Sequence, residues 1–87
     1  NTNLPLYVAE CEALSITQLN LLIAIAKGES VLTGATTMSK YKLGTPQNVS
    51  KNKIVLEQKD ILDKTVEGFY FLDPVFEFWF KSEYVDG

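Results

Sequence analysis

Leu43-Gly44-Thr45-Pro46-Gln47-Asn48-Val49-Ser50-Lys51 is the stretch that decides the fold. Gly44 allows a tight turn that a side chain would oppose. Thr45 is placed to cap a helix, and Pro46 falls at its first position, where a missing N–H costs nothing. This predicts a helix running from Thr45 to about Lys59. Just upstream a shorter helix can begin at Thr36 or Thr37, pass through Met38 and Tyr41, and stop at Leu43-Gly44. Two helices joined through Leu-Gly-Thr spell a helix-turn-helix.

Working outward, Ser15-Ile16-Thr17-Gln18 has the spacing of a capping box, in which hydroxyl and amide satisfy each other's orphan donors. The helix it opens, to about Lys27, is apolar on most of its circumference through Leu19, Leu21, Leu22, Ile23 and Ile25. Such a helix belongs at the centre of a domain, and Gly28 supplies its left-handed stop. Leu4, Tyr7, Val8, Cys11 and Leu14 repeat at helical spacing, which predicts a first helix starting near Pro5.

Downstream, Ile61–Thr65 and Phe69–Leu72 are strand-like runs separated by Val66-Glu67-Gly68, a short hairpin loop. Asp73-Pro74 repeats the cap-plus-proline logic and opens a last helix with Val75, Phe76, Phe78, Trp79 and Phe80. The fold class is therefore mostly α with a small β-wing: a winged helix-turn-helix. Val31-Leu32 is the candidate third strand of the wing sheet. Leu22, Ile25, Val49, Leu56, Ile61, Phe71 and Phe76 are the expected core.

Length and composition limit the alternatives. Eighty-seven residues make one domain, 1–87, since two halves would each have too small a core. The only methionine is Met38, so the expectation is a processed chain or a piece of a longer protein, of which the second is preferred. One cysteine and no histidine exclude an internal disulfide and leave no expectation of a metal site or cofactor. The longest apolar run, Leu21 to Ala26, is too short for a membrane span. A cytoplasmic location is expected.

Charge is unevenly laid out. The net charge is −3, from eight lysines, no arginine and eleven acids. No acid lies between Glu29 and Glu57, an interval holding Lys40, Lys42, Lys51 and Lys53. That interval carries +4, while the rest sets four lysines against eleven acids, −7. The four lysines are expected on one face. Gln47, Asn48, Ser50 and Lys51 occupy the first turns of the predicted recognition helix, the end that enters a major groove in helix-turn-helix proteins. Amides there can read base edges and lysine can meet phosphate. Together with Lys40 they are the candidate contacts to double-stranded DNA; a solvated polar helix face is the alternative. The absence of arginine removes the commonest bidentate base contact.

The aromatic terminus is a second candidate surface, with seven aromatic residues from Phe69 to Phe80. Stacking platforms for single strands are interleaved with cations, whereas the neighbours here are Asp73, Glu77 and Glu83 with only Lys81. Phe76, Phe80 and Tyr84 fall on one helical line and close the core; Phe78 and Trp79 point elsewhere, as a contact surface for a partner. No catalytic motif is present: there is no histidine, no glycine-rich phosphate loop and no GxSxG. Asp60 and Asp63 read as caps and solvated charges, and Cys11 as a small buried hydrophobe. The chain itself is not expected to be an enzyme.

From Leu14 onward, over about three quarters of the chain, the sequence resembles the C-terminal winged-helix domain of prokaryotic AAA+ superfamily ATPases. The resemblance rests on Leu14–Glu29, on LGTPQNVSK (Leu43–Lys51) and on ILDKTVEGFYFLDPVFEFWF (Ile61–Phe80). In the last, Tyr70, Leu72, Asp73, Pro74 and Phe76 match the family's YxFxDPxFxxW pattern with one position shifted. The resemblance implies a regulatory or targeting module behind an ATP-hydrolysing domain. Its partners would be DNA, that ATPase domain, or a second copy. Two positions depart from the winged-helix pattern. Lys53 stands at a core-facing step where leucine is usual, so either its stem snorkels along the core edge or the helix rotates to pack Ile54. Asp60 stands where glycine is common.

Overall fold

A computed structural model describes residues 4–86 of the chain. Helices α1 (Leu4–Glu12), α2 (Ile16–Ala26), α3 (Ala35–Tyr41) and α4 (Pro46–Gln58) precede a hairpin of β1 (Leu62–Thr65) and β2 (Gly68–Phe71). Helix α5 (Pro74–Phe80) then runs into a π-helical turn, Lys81–Val85. This is the winged-helix order, with a two-stranded antiparallel sheet.

The local signals work as their chemistry requires. Ser15 Oγ accepts from Gln18 N at 3.2 Å, while Gln18 Oε1 accepts from Ser15 N at 3.0 Å, completing the capping box. Gly28, at φ 85°, ends α2, and Glu29 N donates back to Ala24 O at 3.1 Å. Thr45 Oγ1 accepts from Asn48 N at 3.2 Å, with Pro46 opening α4. Asp73 Oδ1 accepts from Val75 N at 2.9 Å at the head of α5.

Three local details differ from the sequence expectation. Helix α3 begins at Ala35, with Gly34 as an N-cap that offers no side chain. It ends at Tyr41, because Lys42 itself takes the left-handed conformation, φ 57°. Val31-Leu32 is not a strand. Residues 27–34 link α2 to α3 without forming a strand, and Leu32 is spent plugging the core at 8% exposure while Val31 stays in solvent.

Leu21, Leu22 and Ala24 of α2 lie at the centre of the core, against Leu43, Val49, Leu56, Ile61, Leu62, Phe76 and Phe80. Five of the seven expected core residues are buried; Ile25 and Phe71 are half-buried and pack against that cluster. Tyr7 and Cys11 bring α1 into the same core, but Val8 is exposed. Burial pushes the Cys11 thiol up to about 11, with Tyr84 as its hydrogen-bonding neighbour opposing that rise, so at neutral pH it is a protonated, inert group.

In the wing, Leu62 faces Phe71 and Lys64 faces Phe69 on the side turned to the core, while Asp63 faces Tyr70 on the outer side. Thr65 Oγ1 accepts from Glu67 N and donates to Gly68 O, which fixes the turn at Val66-Glu67.

Candidate nucleic-acid interface

The site follows from how α4 is rotated. Its buried residues are Val49, Asn52 and Leu56, so the core line runs through the third and seventh steps from Val49. At about 100° per residue, Gln47, Ile54 and Gln58 fall within about 30° of the line opposite the core. Ser50 and Lys51 flank that line by about 50° on either side. Gln47, Ser50, Lys51, Ile54 and Gln58 are all exposed, as this geometry demands.

Asn48 sits to the side, facing the turn. A Cβ built on Gly44, which has φ 89°, would lie 2.6 Å from Asn48 Nδ2. The backbone conformation is what favours glycine here; a Cβ would also oblige the exposed Asn48 amide to swing aside. The Asn48 side chain lies against the turn, while its residue remains exposed.

The four lysines of the acid-free interval do not act as a set. The Lys53 ammonium stands 5.5 Å over the Phe69 ring of the wing. Its stem runs along the core edge and Ile54 stays outside, 52% exposed, so the snorkelling alternative holds. On α4, Lys51 and Lys53 are about 160° apart, which is why one face cannot hold both. Lys40 lies 3.8 Å from Glu29 and 5.3 Å over the Tyr41 ring. Lys42 and Lys51 are exposed and make no ion pair or ring contact among the described residues.

Tyr41 is the hub of the α2–α3 junction. Its hydroxyl donates to Glu29 Oε2 at 2.8 Å, and Lys27 stands over its ring with Lys40. The Glu29 carboxylate that accepts the phenol's proton raises its pKa. The cluster ties the start of the helix-turn-helix to the end of α2. Of this group only Lys40 was a candidate from the sequence; Glu29 lies beyond the end of α2 and twelve positions before Tyr41, so no helical period marks the group.

The wing tip adds little positive charge. Val66 is fully exposed beside Glu67, with Lys64 two residues back on β1. Between wing and α2–α3 connection lies an open cleft of about 250 Å³ lined by Glu29, Glu67 and Glu77 against Lys53. Its charge is unsuited to phosphate.

At the far end, Phe78 is 79% exposed, with Val75 beside it on α5. Trp79 is half-buried: its ring lies 5.5 Å from that of Tyr7 and 5.7 Å from that of Phe76. The two residues expected to form one contact surface therefore divide, Trp79 binding α1 to α5 and Phe78 facing solvent. Among the described residues no group of three metal-ligating side chains converges, and no helix is long and apolar enough to cross a membrane.

A family model described as a probable winged helix domain matches residues 5–82. No curated protein and no solved structure matches the chain.

Proposed function

The chain belongs to the probable winged helix domain family, and from that premise we propose that it is a non-catalytic module whose α4 docks in the major groove of double-stranded DNA. One observation carries the reading: the outward face of α4 has no acid, and its Lys51 is unengaged among the described residues. Gln47 and Ser50 meet base edges, Lys51 meets phosphate, and Asn48 meets the strand that passes the turn. Lys40 stands at the rim, where an exposed pair with Glu29 is weak enough to exchange for a phosphate. In this reading the module follows the ATP-hydrolysing domain of a prokaryotic AAA+ type protein in the cytoplasm, as the resemblance over Leu14–Phe80 implies.

A second reading has the exposed face of α5 pack on that ATPase domain or on a second copy. Phe78, at 79% exposure, favours it. Titration of fluorescent duplex DNA with the parent, Lys51→Glu and Phe78→Ser separates the two. Loss of binding in Lys51→Glu alone supports the DNA reading; no duplex binding by the parent at low salt refutes it.

A further inference from the structure

The outward face of α4 carries one large apolar side chain among polar ones. Ile54 is 52% exposed and lies on the line opposite the core, between Gln47 and Gln58. Its placement follows from the packing of Val49, Asn52 and Leu56 on the other side. It stands exposed, whereas its neighbours Lys53 and Leu56 turn inward, to the Phe69 ring and to the core.

The pattern matches the layout of a major groove. The groove floor presents amide-like donors and acceptors and, at thymine, a C5-methyl group; the phosphates form the walls. On α4 the centre line is amide, aliphatic, amide, with Ser50 and Lys51 to the sides. A face built for a protein partner would carry a larger apolar anchor at its centre.

Resting on the docking of α4 described above, we propose that Ile54 is a specificity-determining residue that packs on a thymine C5-methyl group. Ile54 lies about one turn beyond Ser50 and two turns beyond Gln47, so the thymine falls next to the bases those two residues meet.

The test begins with duplexes selected by the parent protein from a random-core pool at low salt. Each thymine in the selected core is then replaced by deoxyuridine, which removes only the methyl group. At one position the parent should lose about fourfold in affinity, the worth of one buried methyl-sized group. Ile54→Ala, folded by circular dichroism because the site is half-exposed, should bind the thymine and uracil duplexes equally. The proposal is overturned if no position responds in the parent, or if Ile54→Ala keeps the fourfold loss. Binding that requires Lys51 but ignores every methyl overturns the role of Ile54 alone. Binding that is absent, or indifferent to Lys51→Glu, overturns the docking of α4 as well.

Discussion

Gln18 Nε2 of α2 donates to Asn52 Oδ1 of α4 across 3.4 Å, at the point where the apolar line from Val49 to Leu56 would otherwise continue. Asn52 is 9% exposed, the one buried polar side chain among the described residues. The pair joins the capping box of the central helix to α4. With the packing of Val49 and Leu56 on the same line, it goes with the rotation of α4 that leaves Gln47, Ile54 and Gln58 facing outward. Replacing Asn52 by alanine should cost about 1–3 kcal/mol, the penalty for an unpartnered amide and a small void. Urea denaturation of Asn52→Ala, Gln18→Ala and the double variant checks this. Additive losses would show that the two amides are not coupled.

Leu56 is fully buried at the centre of the cluster. Leu56→Ala should destabilise the domain by about 2–5 kcal/mol through the cavity it leaves. In a domain of this size that corresponds to a fall in Tm of at least about 8 °C. A thermal melt matching the parent would contradict the placement of α4.

Asp60 holds φ 61° between α4 and the wing, the left-handed region that disfavours a side chain. Ile61 N still bonds back to Leu56 O at 3.0 Å, so the strained residue completes the helix end. Asp60→Gly should therefore stabilise the domain by about 1 kcal/mol, read as a raised Tm. A lowered Tm would mean that the aspartate side chain contributes more than its backbone costs.

The Cys11 thiol, raised by burial to about 11, makes two linked predictions. Iodoacetamide should label it far more slowly at pH 8 than a free thiol. Because the folded pKa lies above the unfolded value near 9, its contribution to stability is present below that value and is lost as pH rises from about 9 to 11. Cys11→Ala should show a smaller loss of stability across that window. Equal losses in the two proteins would assign the alkaline transition to other groups.

How far this could be read from the sequence depends on the length scale of each signal. Caps and turn residues act over three or four positions, so Ser15, Gly28, Thr45, Pro46 and Asp73 were legible one by one. The hairpin was legible, but its register was not: Gly68, expected in the loop, pairs with Thr65 and leaves a two-residue turn at Val66-Glu67. The rotation of α4 was less legible, because its core line passes through Asn52, a polar residue that no hydrophobic pattern would choose. Lys53 then occupied the expected core step, and its true partner, Phe69, lies sixteen positions away on another element. The absent third strand has the same origin: Val31-Leu32 has strand composition, but nothing local tells that Leu32 is claimed by the core. Within the candidate interface, Gln47, Ser50 and Lys51 stand exposed, Asn48 is exposed but lies against the turn, and Lys40 is shared with Glu29 and Tyr41. The division of Phe78 from Trp79 depends on α1, which the helical line of α5 does not reveal.

Titration of labelled duplex DNA across salt concentrations tests the docking of α4 most directly. With about three phosphates neutralised, the log–log salt slope should be about −2.7 and the affinity about 10⁻⁴ to 10⁻⁶ M, since the domain's net charge of −3 opposes approach. Lys51→Glu should weaken binding and flatten the slope by about one unit. Phe78→Ser should leave both unchanged; it is the right comparison because Trp79 holds α1 and cannot be replaced without disturbing the fold. The account is contradicted if the parent fails to bind at low salt, or if Phe78→Ser abolishes binding while Lys51→Glu does not.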